Sequence, residues 1–303
     1  MKNYPNKKKI GLALGSGAAR GCAHIGVLKA LSNMGIEPDI ICGSSMGTIV
    51  AASYAAGNLE KLEKKFCSFT KMQIAKFLQF DISLINFVKK KQLNTFFTKY
   101  VCDKDKKIED LPKSFGAVST LFKTGDEVFF SDGLVFDAIF ASIAMPGLFA
   151  PFNYKGKWLI DGGLVNPIPI SLCKKLGADI VIAVNLNSDI AGKHLNKKKN
   201  SMTNNYIAKK ISSKIEQYSN NFFSSQKDKT PPNFINTILN SINIMQYNIA
   251  LNRMKIDNPD IILNPKLSHI GLMEFNRAKE AIEEGEACVN RMNSEIKQLT
   301  GSI

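Results

Sequence analysis

One pentapeptide in this 303-residue sequence combines residue types and spacing that suit nucleophilic chemistry, GSSMG at residues 43–47. It lies between a short apolar run, typical of a strand, and a small-residue stretch, typical of a helix. A GxSxG pattern in that context favours a sharp turn that exposes its central residue, Ser45. Gly43 and Gly47 remove Cβ atoms that would collide as the chain reverses. Ser45 is therefore a candidate nucleophile, although GxSxG also arises by chance in glycine-rich connections.

A serine hydroxyl needs a base within hydrogen-bond reach to attack at neutral pH. The sequence has only three histidines. His24 lies in the first predicted helix, His194 in a Lys/Asn-rich stretch and His269 in a predicted loop. None of them has a partner that the sequence indicates, so each is equally well explained as a packing, solvated or loop residue.

A carboxylate can act as the base instead if burial raises its basicity. Asp161 is the best placed, because it ends a predicted strand and is followed by Gly162 and Gly163. The glycines let the chain turn sharply and leave the carboxylate at the C-terminal edge of the sheet, where active sites of open parallel sheets gather. Taken alone, an Asp-Gly-Gly segment is more often just a turn.

Acyl transfer also requires hydrogen-bond donors for an oxyanion. The segment GSGAARG, residues 15–21, follows the first predicted strand and frees the backbone N–H groups of Gly17 and Ala18 to point outward. A dinucleotide or phosphate loop is the competing interpretation. Arg20 argues against it, because it stands where a third small residue would allow close helix packing. The second strand also lacks a ribose-binding acid, and a Walker lysine is missing.

The elements around these segments indicate an α/β fold. Apolar runs at 10–14 and 39–42 each end in glycine and precede a helical pattern, and this order predicts a parallel sheet. Residues 116–122 and 127–130 predict a hairpin. The near-continuous apolar run at 179–186 is typical of a strand buried on both faces.

Composition changes twice along the chain and suggests one domain with an insertion. Residues 8–186 form the predicted core. Residues 187–233 are rich in Lys, Asn and Ser and predict an inserted or mobile segment. Residues 234–295 return to globular composition as the C-terminal part of the same domain, with a strand at 261–263 and a helix at 275–292.

The chain has 40 Lys and Arg against 26 Asp and Glu, a formal charge of +14. The excess is mostly Lys with few interleaved aromatic residues and no recognised motif, which argues against a nucleic-acid partner. An amphipathic pattern at 207–222, flanked by lysines, suggests docking on an anionic membrane. A helix packed on the body of the protein accounts for the same pattern equally well.

Other features bear on location and on metals. Lys7, Lys8 and Lys9 before an apolar run imitate a signal peptide, but glycines and Arg20 soon interrupt that run. No stretch approaches eighteen uncharged apolar residues, so we expect no transmembrane helix. Six scattered cysteines lack the spacing of a zinc site or a disulfide framework and indicate reduced core thiols. We expect a cytoplasmic protein with peripheral membrane contact at most.

Together these segments resemble the patatin-like phospholipases, in the form of their short bacterial cytoplasmic members. The similarity rests on GSGAARG with the following AHIGVL, then GSSMG, then DGG at 161–163, in that order. It extends to residues 145–151 and to NPIP at 166–169, and covers roughly residues 9–186. Three motifs in the right order are far more specific than any one of them.

The resemblance implies a three-layer α/β/α sandwich with a mostly parallel central sheet, and a Ser-Asp dyad that acts on acyl-ester lipids such as phospholipids. Such a dyad needs no metal or organic cofactor. By motif position, Ser45 is the nucleophile and Asp161 the general base, supported by the motif residues Gly43, Gly47, Gly162 and Gly163. The implied oxyanion hole comprises Gly15, Ser16, Gly17, Ala18 and Arg20. Ser16 departs from the family, which often has three consecutive glycines there.

Three alternatives remain open at the sequence level. An α/β-hydrolase esterase with a Ser45, Asp161, His269 triad meets the expected chain order, although several strands normally precede the nucleophile in that fold. An acyltransferase or thioesterase would keep the same fold and dyad. A regulatory protein with weak turnover would keep the pocket without useful catalysis.

Overall fold

The computed structural model describes residues 8–77, 90–189 and 234–301, and eight strands in that part of the chain form one sheet. Their order is β5-β6-β3-β2-β1-β7-β8, with β4 paired to β3. The strands are β1 (Ile10–Leu14), β2 (Ile40–Ser44), β3 (Ser114–Leu121), β4 (Glu127–Phe130), β5 (Phe152–Tyr154), β6 (Lys157–Asp161), β7 (Ile180–Val184) and β8 (Ile261–Leu263). Four pairs (β1–β2, β1–β7, β2–β3 and β7–β8) are parallel, and the three that involve β4, β5 and β6 are antiparallel.

Helices cover both faces of the sheet. They are α1 (Ala23–Asn33), α2 (Met46–Ala55), α3 (Leu59–Cys67), α4 (Lys71–Phe77), α5 (Lys90–Tyr100), α6 (Val135–Ser142), α7 (Ile170–Lys175), α8 (Phe234–Asp257), α9 (Ala278–Arg291) and α10 (Asn293–Thr300). Short 3-10 turns occupy Ala18–Cys22, Ile108–Asp110, Gly162–Leu164 and Phe275–Arg277.

Two buried clusters on opposite faces establish the layers. In β1, Leu12 and Leu14 join the larger core under α1, α2, α6 and α9, whereas Ala13 joins the smaller core under α7 and α8. This alternation follows from the two-residue period of a strand. Because both faces are covered by helices, the predicted three-layer α/β/α sandwich with a mostly parallel sheet is confirmed.

The sequence-level elements are largely confirmed. The apolar run that imitates a signal peptide is β1, the central strand, paired on both edges. The predicted hairpin is the antiparallel pair β3–β4. The helical pattern after the first run is α1, which begins at Ala23 after a 3-10 turn at residues 18–22. The predicted insertion lies outside the described residues from 190 onward, as does the amphipathic pattern at 207–222.

The six cysteines are all free thiols. Five of the six cysteines are buried thiols, but Cys67 is exposed at the end of α3, so the prediction of core thiols is wrong for that residue. Cys67 lies on the outer side of an amphipathic helix, a position that its sequence neighbours do not reveal. Among the described residues, no helix combines the length and hydrophobicity needed to cross a bilayer.

The register around β3 is what brings the two main site residues together. The parallel strand β2 ends at Ser44, opposite Val118 of β3. The antiparallel strand β6 ends at Asp161, opposite Ser119, the next residue of β3. Because β2 and β6 run in opposite directions against the same strand, their C-terminal ends converge.

Candidate active site

Ser45 lies in a strained turn between β2 and α2. Its backbone has φ 54° and ψ −121°, a combination that costs an ordinary residue energy and persists only when the surroundings impose it. Close backbone packing imposes it here. A Cβ on Gly43 would lie 2.3 Å from the backbone nitrogen of Thr48, and one on Gly47 would lie 2.2 Å from the carbonyl oxygen of Leu14. Only glycine fits at either position, so the motif glycines are required by the turn.

Ser45 and Asp161 are in direct contact. The Ser45 hydroxyl donates a hydrogen bond of 2.5 Å to Oδ2 of Asp161. The other carboxylate oxygen, Oδ1, accepts the backbone N–H of Gly163 at 2.7 Å. Asp161 is fully buried and Ser45 is 6% exposed, so the pair lies at the base of the site, away from bulk water.

Burial gives Asp161 the properties of a base that works near neutral pH. Desolvation raises the pKa of Asp161 to about 7, and the hydrogen bonds from Ser45 and Gly163 oppose that rise. A general base is most effective when its pKa lies close to the working pH. The carboxylate is therefore basic enough to take a proton and is still partly ionised at neutral pH.

The glycine-rich loop at 15–18 leaves two of its N–H groups without a hydrogen-bond partner among the described residues. The Gly15 N–H is bonded to the Val184 carbonyl, and the Ser16 N–H to the Pro167 carbonyl. The N–H groups of Gly17 and Ala18 form no hydrogen bond within the described part of the chain. Of the five residues predicted for an oxyanion hole, these two thus have N–H groups free to bind an anion. Ala18, with φ 49°, also lines the cavity beside Ser45.

His24 supports this loop from α1. It is fully buried, and burial lowers its pKa to about 4, so the ring is neutral at neutral pH. Its Nε2 lies 2.7 Å from the Gly15 carbonyl oxygen. Since a carbonyl can only accept, Nε2 carries the proton and donates it to Gly15.

The Arg20 side chain does not line the cavity. Its Nε donates to the Ile270 carbonyl at 2.8 Å, and Nη1 lies 3.3 Å from Oδ1 of Asn187. Its backbone N–H bonds the Gly17 carbonyl. In this structure Arg20 therefore ties the loop to residues far along the chain, and its guanidinium bonds those residues and not Ser45.

A cavity of about 800 Å³, including the part open to solvent, lies in front of Ser45. Ser45 contributes the only hydroxyl among the described residues that line it, and the other lining residues are apolar. The walls come mainly from α3, α4 and α5 and from the segments after α6 and β8. The apolar lining residues are Ala18, Met46, Ile49, Phe66, Phe69, Ile74, Leu93, Phe96, Phe97, Ile143, Met145, Leu148, Phe149, Met273 and Phe275.

The model of the patatin-like phospholipase family matches residues 12–174, more than half of the chain. That span includes both glycine turns and the contact between Ser45 and Asp161. The chain belongs to the patatin-like phospholipase family.

Curated relatives of this patatin-like chain are similar over the same region. An NTE family protein of Mycobacterium bovis is 39% identical over 184 residues, 61% of this chain and 51% of the relative. The lysophospholipase nte1 of Aspergillus fumigatus is 32% identical over 189 residues, 60% of this chain and 12% of the relative. Patatin-like phospholipase domain-containing protein 6 of Mus musculus is 32% identical over 190 residues, 59% of this chain and 14% of the relative. The chain is thus a homologue of phospholipases and lysophospholipases, and it matches about half the length of the mycobacterial relative.

Among solved structures, VipD from Legionella pneumophila aligns with 96% of this chain and 77% of its own, at 14% identity and a TM-score of 0.38. That superposition is too loose to support any inference about this patatin-like chain.

The His269 triad has no geometric support. The His269 ring is exposed and bonds Glu280 at 2.7 Å, whereas both oxygens of Asp161 are engaged by Ser45 and Gly163. In chain order a single strand, β1, precedes β2 among the described residues. His194 lies outside the described residues. We also find no cluster of three or more His, Cys, Asp or Glu side chains suited to a metal ion in the described ranges.

Sequence reasoning missed several residues that hold the site. Ser142, at the end of α6, accepts the Ser45 N–H at 2.9 Å and bonds the Thr48 hydroxyl at 2.7 Å. Asn187 donates to the Ser16 carbonyl, and Gln246 of α8 accepts from the Ser16 hydroxyl. The available signal was weak: Ser142 and Gln246 are polar residues on helix faces that are otherwise mostly apolar.

Proposed function

We propose that this chain is a serine hydrolase of acyl-ester lipids, with phospholipids and lysophospholipids as its substrate class. Ser45 is the nucleophile, Asp161 the general base, and the N–H groups of Gly17 and Ala18 form the oxyanion hole. The observation that carries the proposal is the 2.5 Å hydrogen bond from the Ser45 hydroxyl to a fully buried carboxylate at the base of an apolar cavity.

In the acylation step, Ser45 Oγ attacks the ester carbonyl carbon while its proton passes to Oδ2 of Asp161. The carbonyl oxygen becomes an oxyanion, which the two N–H groups of the loop stabilise, each by about 3 kcal/mol or more. The C–O bond to the alcohol then breaks, and Asp161 returns the proton to the departing alkoxide. The products are an acyl-Ser45 ester and a free alcohol.

Deacylation repeats these steps with water. Asp161, ionised again, takes a proton from a water molecule as the water oxygen attacks the acyl carbon. The second oxyanion collapses, the bond to Ser45 Oγ breaks, and the proton returns to Ser45. One base serves both steps because the alcohol and the water occupy the same position relative to Oδ2.

The cavity supports a substrate with a long hydrocarbon chain. An apolar wall excludes water and gains about 25 cal/mol for each Å² of apolar surface it covers. The relatives that are named lysophospholipases support the choice of glycerophospholipid esters. An acyltransferase with the same dyad passes the acyl group to an alcohol instead of water, and a thioesterase cleaves a thioester instead of an oxygen ester. Product analysis separates these alternatives.

We further propose that the protein is cytoplasmic and meets its substrate at an anionic membrane surface. Helices α3, α4 and α5, which wall the cavity with aromatic side chains, also present basic residues to solvent. The exposed lysines on them are Lys61, Lys64, Lys71, Lys90, Lys91 and Lys99. Each lysine near an anionic surface contributes about 1 kcal/mol.

The membrane proposal is tested by vesicle co-sedimentation. Lys64→Glu with Lys91→Glu should weaken binding to phosphatidylglycerol vesicles, and Lys174→Glu with Lys297→Glu, the same charge change on other helices, should weaken it less. Hydrolysis of a short soluble ester should stay the same in both double variants. Equal loss of binding in the two would mean that net charge alone is responsible.

The catalytic proposal is tested by labelling with a fluorophosphonate probe, with hydrolysis of an acyl ester followed in parallel. Labelling should vanish in Ser45→Ala and fall sharply in Asp161→Asn. Ser44→Ala is the matched control, because Ser44 is the neighbouring serine of the same motif, and its buried hydroxyl has no partner among the described residues. It should still label.

Folded wild-type protein that neither labels nor hydrolyses any ester would contradict the proposal and favour a regulatory role. Adding alcohol acceptors to an active preparation separates the remaining alternatives. A hydrolase releases mainly free fatty acid, whereas an acyltransferase transfers most of the acyl group to the alcohol.

A further inference from the structure

Helix α8 contributes an unexpected polar side chain to the surroundings of Asp161. Its buried stripe consists of Leu239, Ile242, Asn243, Gln246 and Ala250. The spacing is that of one helix face, and the apolar members pack as expected. Gln246 is 3% exposed, and burial of a carboxamide is costly unless it is hydrogen-bonded. Its polar atoms therefore need hydrogen-bond partners on this buried face.

One end of the Gln246 amide holds the glycine-rich loop. Oε1 accepts a hydrogen bond of 3.2 Å from the Ser16 hydroxyl, across 230 residues of sequence. Ser16 lies between Gly15 and Gly17 in that loop. Its side chain therefore has a specific partner, and that partner belongs to α8.

The other end of the amide lies beside Asp161. Nε2 is buried and has no hydrogen-bond partner within the described residues. Around Gly163, three polar atoms converge on the space that a Cβ would fill: Gln246 Nε2 at 2.4 Å, Ser16 Oγ at 2.9 Å and Asp161 Oδ1 at 3.0 Å. Gly163 thus leaves the gap through which the amide faces the carboxylate.

We propose that Gln246 is a positioning residue that couples the oxyanion loop to the base: its Oε1 fixes Ser16, and its Nε2 is the donor for Asp161 Oδ1 during turnover. The inference rests on the proposed function. When Ser45 is acylated, its proton is gone and the Asp161 carboxylate loses one of its two hydrogen bonds. Oδ1 already accepts from Gly163 and has a second lone pair for Nε2.

Among the described residues, no charged side chain hydrogen-bonds or pairs with the Asp161 carboxylate. Helix α2 and strands β2 and β3 carry no charged residue. The charged residues on the other elements around Asp161 interact with other groups. Arg20 bonds Ile270 and Asn187, and Asp137 of α6 lies near Lys90 and Lys155. Arg253 of α8 pairs with Glu127 of β4 and with Asp257. Lys157 of β6 and Lys255 of α8 are exposed. The pKa of Asp161 is therefore set by burial and by neutral donors.

The sign of the effect follows from which form of Asp161 the amide stabilises. An N–H donor favours the ionised carboxylate, so its removal raises the pKa of Asp161. Less of the base is then ionised at a given pH, and the acid limb of the rate profile moves to higher pH. In Gln246→Glu, a second carboxylate beside Asp161 raises the pKa further.

The test measures the pH dependence of acylation and deacylation separately, as burst and steady-state rates on a p-nitrophenyl ester. In Gln246→Met, which keeps the length of the side chain, the acid limb of deacylation should move up by about one pH unit. In Gln246→Glu it should move further. Ile242→Val, a truncation on the same buried face of α8, should leave the limb in place.

A double-mutant cycle tests the coupling to the loop. Ser16→Ala and Gln246→Met should together cost less in kcat than the product of the single losses, because both break the same contact. Unmoved acid limbs in Gln246→Met and Gln246→Glu would overturn the proposal, as would independent effects in the cycle. Where Gln246→Met fails to fold, Gln246→Glu and Ser16→Ala provide the same readouts. Hydrolysis that survives Ser45→Ala would instead overturn the proposed function itself.

Discussion

The two glycine turns of this protein lie side by side at the ends of adjacent parallel strands, with Leu14 opposite Gly43, yet they are built differently. The turn at 43–47 holds its shape mainly through its own glycines, which pack against Thr48 and Leu14. The loop at 15–18 is held by distant residues. The Val184 and Pro167 carbonyls accept the N–H groups of Gly15 and Ser16, while His24 of α1 bonds the Gly15 carbonyl and Gln246 of α8 bonds the Ser16 hydroxyl.

The difference reflects what each turn presents. The second turn presents a side chain, Ser45, and a sharp backbone reversal is enough to expose it. The first loop presents backbone N–H groups, and their direction depends on every neighbouring peptide. The loop therefore depends on partners from several distant elements, whereas the Ser45 turn depends mainly on its own glycines, which pack on Thr48 and on Leu14 of β1.

The largest expected effect concerns Asp161, the proposed base, which bonds Ser45 of the second turn. Asp161→Asn keeps a hydrogen-bond acceptor for Ser45 but cannot take its proton, so kcat should fall by about 10³-fold. The same variant should change stability. The pKa of Asp161 is raised to about 7 in the folded state, so folding favours the protonated acid, and wild-type stability should decline as pH rises from about 4 to about 7.

That decline should amount to about 1.4 kcal/mol for each pH unit of the interval and be absent in Asp161→Asn. Urea unfolding at several pH values measures it. An equal slope in both proteins would show that Asp161 is not the group responsible.

The next effect tests how far the second turn depends on its glycines. Gly47→Ala places a Cβ 2.2 Å from the Leu14 carbonyl oxygen, and the backbone of a central strand cannot give way. The free energy of unfolding should fall by about 3 kcal/mol or more, and fluorophosphonate labelling of Ser45 should be lost. Gly271→Ala is the control, because its Cβ would meet only the flexible Glu274 side chain at 3.3 Å. Similar losses in the two variants would refute the packing argument.

A smaller effect tests the support of the first loop. His24→Leu removes the donor to the Gly15 carbonyl and should cost about 1–3 kcal/mol and lower kcat, with KM little changed. His24→Gln, which keeps an N–H donor, should restore part of both. If His24→Leu were as stable and as active as His24→Gln, side-chain volume and not the hydrogen bond would matter at this position.

His24 also predicts a pH dependence opposite in sign to that of Asp161. Burial lowers its pKa to about 4, below the value of about 6.5 in an unfolded chain. The unfolded state then binds the extra proton, so this contribution to stability is lost as pH falls from about 6.5 to about 4. The pH dependence of unfolding in His24→Gln, compared with wild type, isolates it.

The smallest effect tests whether the second turn is as self-contained as its glycines suggest. Ser142→Ala removes the acceptor for the Ser45 N–H and the partner of Thr48, and should cost about 1–2 kcal/mol. Because the glycine packing remains, fluorophosphonate labelling of Ser45 should fall less than about tenfold. A loss as large as that of Asp161→Asn would show that the turn, like the loop, is held from a distance.

The sequence by itself determined the local features. The apolar runs predicted β1, β2 and β7, and the order of strands and helices predicted the parallel part of the sheet. Both glycine turns and Asp161 were identified from residue types, because only glycine tolerates such close backbone packing and only a few side chains can act as nucleophile or base. The expectation that Gly17 and Ala18 have free N–H groups also came from the sequence, since the N–H groups that open a helix have no partner within it.

Only the tertiary structure decided how these pieces meet. The convergence of β2 and β6 on β3 depends on an antiparallel register that no local pattern encodes. Arg20 bonds the Ile270 carbonyl, whereas Ser142 and Gln246 bond residues of the two turns, and these contacts join residues about 100 to 250 positions apart in the chain. The physical reason is that a buried polar side chain is placed by its hydrogen-bond partners, and those partners become neighbours only when the chain has folded.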